Sequence, residues 1–247
     1  ADPFAMEYSS GSLPIIADDF VQTQQYEWAW SCYHSLITII EIGSEFKDQE
    51  KARVATEFLN ANNLDEAINL TQTVEHVYER CRSYRLLVKE LVDQERLKDA
   101  EYVLSLIRKE SSRGSYQETR ALAILAKALY DKGQELVAIS YLQEAKDISK
   151  ISRDIRGLTY VASALAYIGK RPQAREVYQV IDKLIYEHIR QRGRNVHGLD
   201  KLYEKYVVSL IESGDFELAS HKILELLDHA GFETFYHSTR RELRNAY

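Results

Sequence analysis

The chain is poor in the residues that break or cross-link a fold. Its 247 residues include 3 prolines, 10 glycines, 2 cysteines and 1 methionine. So few breakers leave little room for long loops and point to helices. Cys32 and Cys81 are too few for a disulfide framework or a zinc site, and they read as reduced thiols of a cytoplasmic protein. No apolar run approaches the ~18 residues that a membrane span needs. No basic stretch followed by an apolar one marks a signal peptide. Ala1-Asp2-Pro3-Phe4-Ala5, ahead of Met6, reads as an appended remnant. Catalytic signatures are missing too: there is no glycine-rich phosphate loop, nucleophile elbow or His-Glu-x-x-His. The seven histidines never stand three or four residues apart, and His221 and His229, eight apart, lack a third ligand. The expectation is a non-enzymatic chain with no catalytic residue, metal or cofactor.

What is present is one pattern written five times. An apolar run leads to a turn, then to an alanine that opens a second apolar run. The turns are 62–67, 95–100, 133–138, 169–174 and 214–219, ending in Ala67, Ala100, Ala138, Ala174 and Ala219. The alanines stand 33, 38, 36 and 45 residues apart, a period that marks stacked supersecondary units. Nine residues before each alanine stand Phe58, Leu91, Leu129, Leu165 and Leu210; thirteen before stand Val54, Leu87, Leu125, Val161 and Tyr206. Such spacing stripes one helix face, which a neighbouring helix must cover. Alanine lets two helices cross closely. Gly133, Gly169 and Gly214 fit left-handed helix ends, and Pro172 fits a helix first turn.

These residues resemble the tetratricopeptide repeat family over roughly residues 48–228. The glycine five before the alanine, the aromatic or leucine three before it (Leu64, Leu97, Phe216) and the acid one before it (Glu66, Asp99) carry the likeness. The resemblance implies an all-α, right-handed α-solenoid of about five stacked antiparallel helical hairpins with terminal capping helices. Residues 1–18 read as remnant and flexible N-terminus, and 19–247 as a single domain: a capping helix over 19–45, repeats over 48–228, and a cap and tail over 229–247. Spacings of 38 and 45 exceed the usual ~34, which predicts longer helices or loops. The longest loop is expected at 186–200.

The resemblance also implies a concave face built by first-helix positions eighteen, fifteen, eleven, eight and seven before the alanine. Position eighteen holds Gln49, Arg82, Arg120, Arg156 and Lys201, and position eleven holds Lys89 and Lys127. Arg85 lies fifteen before its alanine, while Tyr130 and Tyr167 fall near the turn end. Stacked bases in a chain of net charge −6 suit an acidic or carboxylate-bearing peptide, since arginine binds a carboxylate through two parallel hydrogen bonds. The bland alternative pairs these bases with Glu79, Asp93, Glu118, Asp131 and Asp154. The function expected is an adaptor, chaperone or regulator binding a protein partner, with homo-oligomerisation through terminal repeats as a variant. A second reading takes residues 146–205, with thirteen Lys or Arg against seven Asp or Glu, as a nucleic-acid surface. The acidic total disfavours it, and helical spacing makes Tyr160 and Tyr178 core residues.

Overall fold

The computed structural model describes residues 12–43, 47–110, 116–192 and 199–230. Among them every regular element is an α-helix, twelve in all: α1 (Ser12–Gln22), α2 (Tyr26–Gly43), α3 (Lys47–Asn60), α4 (Leu64–Gln72), α5 (Val77–Asp93), α6 (Leu97–Glu110), α7 (Tyr116–Asp131), α8 (Glu135–Ser152), α9 (Ile155–Tyr167), α10 (Arg171–Arg192), α11 (Leu199–Glu212) and α12 (Phe216–Ala230). Where the sequence suggests one domain over 19–247, the contacts divide the chain into two compact units, residues 1–112 and 113–247. In unit 1 the pairs α1–α2, α3–α4 and α5–α6 are hairpins, and α3 also lies against α5. In unit 2 the pairs are α7–α8, α9–α10 and α11–α12, with α7 against α9 and α9 against α11. Within each unit most sequential neighbours pack together, as in a helical array.

One backbone device makes every hairpin. The residue five before each alanine is left-handed: Asn62 (φ 59), Glu95 (φ 59), Gly133 (φ 78), Gly169 (φ 78) and Gly214 (φ 72). The next N–H then reaches back to the carbonyl of the apolar residue nine before the alanine. The bonds are Asn63 to Phe58 at 2.9 Å, Arg96 to Leu91 at 2.8 Å, Gln134 to Leu129 at 2.9 Å, Lys170 to Leu165 at 2.8 Å and Asp215 to Leu210 at 2.9 Å. This is the Schellman closure, in which two orphan carbonyls of the helix end are satisfied. The donor residue already caps the second helix, for its carbonyl accepts from the alanine N–H at 3.0–3.2 Å. The alanines are 0–2% exposed, where any larger side chain would force the helices apart.

A sixth hairpin stands where the sequence suggests one capping helix. Gln24 is left-handed (φ 59), Gln25 N–H bonds Phe20 O at 2.8 Å, and Ala29 N–H bonds Gln25 O at 3.2 Å. Ala29 is therefore a sixth reference alanine, and Ser12–Asp18, expected in the flexible N-terminus, lie in α1. At the other end α10 runs on through Arg192, so the expected loop loses its first seven residues to helix. The 22-residue α10 accounts for much of the extra length of the 45-residue spacing. The tail beyond Ala230 lies outside the described residues.

Buried hydroxyls tie elements together inside each unit. Thr71 donates to Ala67 O and lies 2.9 Å from the Ser83 hydroxyl. Thr119 and Ser149 meet at 3.0 Å, and Tyr178 donates to Ser209 O at 3.0 Å. Gly157 lets α9 approach Ser149: a Cβ there would lie 2.5 Å from Ser149 Oγ and 2.8 Å from Asp154 Oδ2. Gly157→Ala is therefore expected to cost about 1–3 kcal/mol through overpacking. Gly133→Ala, with open space around its Cβ, should cost about 1–2 kcal/mol through its left-handed φ alone. Urea unfolding followed by circular dichroism checks both, and an undiminished midpoint for Gly157→Ala would show that Ser149 and Asp154 step aside.

Candidate peptide-binding face

In unit 1 the expected bases are neutralised by their own helix. Arg82 Nη1 lies 3.1 Å from Glu79 Oε2 and Lys89 Nζ lies 2.6 Å from Asp93 Oδ2. Both pairs join residues one helical turn apart and are largely solvated, worth under about 1 kcal/mol each. Arg85 is 5% exposed, so it offers no surface cation. It stands four after Cys81 and three before Val88, both buried, and so shares their inward stripe.

In unit 2 the bases meet tyrosines on the neighbouring first helix. Arg156 of α9 stacks over Tyr116 of α7 at 4.7 Å, and Arg120 of α7 stacks over Tyr160 of α9 at 4.6 Å. The two rings touch each other, 6.0 Å between centroids and 54° between planes. Lys127 of α7 lies over Tyr167 of α9 at 5.1 Å. Each rung joins residues 40 apart, the 36-residue repeat spacing plus one helical turn of four. Cation–π contacts of this kind contribute about 0.5–2 kcal/mol, and they leave the in-plane N–H donors of a guanidinium free. No ion pair is formed by Arg120 or Arg156 among the described residues. Arg120 Nε is buried without a hydrogen-bond partner.

The opposite end of the same face is acidic. The Tyr167 hydroxyl donates to both Asp131 oxygens, at 3.1 and 3.0 Å, and the Asp131 carboxylate pushes the phenol above its usual range. Ser163 donates to Glu212 Oε2 at 3.3 Å. Burial lowers the Lys127 ammonium, while Glu212 and Asp131 oppose that shift. Tyr130 is half-buried beside this end, and its carbonyl accepts the Gly133 N–H at 2.9 Å. The side chain of Lys201 lies outside the described residues.

The sequence reading therefore names the bases of this face and misses Tyr116, Asp131 and Glu212 as parts of it. Tyr178 is core, at 1% exposure, as expected. Tyr160, expected in the core as well, is half-buried on the face. The signal was the four-residue spacing of Tyr116 and Arg120 on one helix and of Arg156 and Tyr160 on the next.

Elsewhere several cations are paired. Lys146 faces Glu176, Arg153 pairs with Glu187, Lys170 with Glu135 and Arg175 with Asp215, and of these acids only Glu135 and Asp215 come from outside 146–205 to offset its charge excess. A cleft of ≈390 Å³ lies at the turn ends of α9–α10 and α11–α12. The Arg175–Asp215 pair, 2.9 Å apart, forms part of its lining. Among the described residues no three His, Cys, Asp or Glu are grouped to hold a metal ion, and no helix is long and apolar enough to cross a membrane.

Asp131→Asn is expected to bring the Tyr167 ionisation down toward that of an ordinary phenol, read by carbon-13 chemical shift of labelled tyrosine through an alkaline titration. An unmoved Tyr167 would show that the hydrogen bond to Asp131 does not form in solution. Comparison with known proteins finds no matching family model, no matching curated protein and no matching solved structure.

Proposed function

We propose that the chain is a non-enzymatic protein-interaction module, a tetratricopeptide-like right-handed α-solenoid that serves as an adaptor, chaperone or regulator. Its binding surface is the first-helix face of unit 2, and its ligand is an acidic or carboxylate-bearing segment of a partner protein. The observation that carries this reading is the contrast among the bases. Arg82 and Lys89 are satisfied by carboxylates of their own helix. Arg120 and Arg156 are oriented by aromatic rings instead, with their planar donor edges left for an incoming oxyanion. A cation held in place before binding loses less side-chain freedom on association, which favours affinity. Arginine rather than lysine at both positions suits bidentate carboxylate recognition.

The test is fluorescence anisotropy with a labelled peptide pool rich in Glu and Asp. Loss of a charge-assisted hydrogen bond costs about 1.5–3 kcal/mol, so Arg120→Ala with Arg156→Ala should weaken binding by about tenfold or more. Arg82→Ala with Lys89→Ala should leave it within about twofold, since those charges are already paired. Equal affinity of wild type and the Arg120/Arg156 variant would overturn the reading. So would tighter retention of a single-stranded RNA pool than of the peptides.

A further inference from the structure

The face carries two signs of charge, segregated along its helices. Arg120 is the fifth residue of α7 and Arg156 the second of α9, while Asp131 ends α7 and Glu212 ends α11. Arg156, Asp131 and Glu212 stand against the helix dipole, which is positive at an N-terminus, negative at a C-terminus and fades within one turn, so that Arg120 lies beyond it. Each misplacement costs about 0.3–1 kcal/mol in an exposed helix. None of the four charges is placed where the helix dipole would favour it. They are nevertheless held in place, the cations by Tyr116 and Tyr160 and the carboxylates by Tyr167 and Ser163.

We infer that the partner segment is bipolar: an acidic group docks between Arg120 and Arg156, and a basic group docks at Asp131 and Glu212. This rests on the peptide-binding reading above and narrows its ligand. The charges near each end support the assignment. At the basic end Asp154 caps α9, its Oδ1 accepting the Arg156 backbone N–H at 3.1 Å while its Oδ2 is buried without a hydrogen-bond partner. At the acidic end Lys127 offsets one of the two carboxylates and leaves a net negative charge. The two ends lie eleven residues apart on α7, about 16 Å at 1.5 Å per residue. An extended peptide covers that distance with about five residues at ~3.3 Å each. The segment is therefore one with an acid and a base about five residues apart, and a uniformly acidic tail is a poorer fit. Lysine or arginine at its far end would meet Asp131 and Glu212 as charge-assisted hydrogen-bond donors.

The experiment is selection from a displayed random-peptide library on the intact protein, followed by binding of the recovered sequences as synthetic peptides. The expected outcome is enrichment of peptides with an acidic position and, about five residues away, a Lys or Arg. On wild-type protein, replacing that base by Glu, or moving it beside the acid, should weaken binding by about tenfold. Because this arm changes only the peptide, it does not depend on how any variant folds. Asp131→Asn with Glu212→Gln should erase the preference for the base and keep the preference for the acid. Arg120→Ala with Arg156→Ala should do the reverse. Enrichment of acids with no preference for a base would overturn the bipolar ligand and leave the acidic-peptide reading standing. No enrichment at all would overturn both.

Discussion

The constraint on which the hairpins depend is the hydrogen bond that closes each first helix onto the turn. It runs from the residue four before the alanine to the carbonyl of the apolar residue nine before it. It forms only if the intervening residue five before the alanine turns left-handed, and that residue does so in all five turns and in the sixth at Gln24. Since the donor of this bond is also the cap of the second helix, the connection has no slack. The alanine is then the first residue to bond within the second helix, at a point where the two helices have barely separated. Its small size follows from that place, and so does the burial of Phe58, Leu91, Leu129, Leu165 and Leu210 on the other side of the turn.

A turn without slack fixes how consecutive first helices are staggered. In unit 2 four of the contacts across them join a residue to the one four further along in the next repeat. The pairs 116–156, 120–160 and 127–167 obey this rule, and so does Ser163 with Glu212, where the repeat is 45 residues long. The geometry is general and the chemistry is local. In α5 a carboxylate lies within one turn of each exposed base, and the pairing stays inside the helix at little entropic cost. In α7 the residue one turn before Arg120 is Tyr116, and Asp131, one turn after Lys127, is engaged by Tyr167. The cations of α7 turn to the rings of α9.

The hairpins were legible because apolar spacing and the alanines repeat within single helices. The first hairpin was not, since Gln24 fills its left-handed position without a glycine, and Ala29 lies inside the aromatic run from Tyr26 to Tyr33. The loop expected from residue 186 was misjudged for a related reason. No glycine or proline stands between Pro172 and Gly193, so nothing halts the helix when its apolar stripe fades. The bases of the face could be read from their distance to the alanine. The rings and carboxylates that define it could not, because their contacts need the stagger between helices, which no single helix displays. Arg85 shows the converse limit, for counting from the alanine placed it on the face and its own buried neighbours hold it inside.

That offset needs something more specific than apolar burial to maintain it. A striped helix that slides by one turn still presents apolar residues to its neighbour, so hydrophobic contact alone tolerates a slip. Buried hydroxyls do not. Ser209 receives the Tyr178 hydroxyl on its carbonyl and donates to Thr159 O at 3.3 Å, which binds α10, α11 and α9 in a single register. Thr119 with Ser149 does the same for α7 and α8, at the spot where Gly157 admits α9. Sliding any of these helices by a turn would leave buried hydroxyls unpaired, at about 1–3 kcal/mol each. The three cation–π rungs span the same helices and inherit that register. The polar contacts of the core therefore decide which arginine meets which tyrosine, and with it where the two charged ends of the face lie.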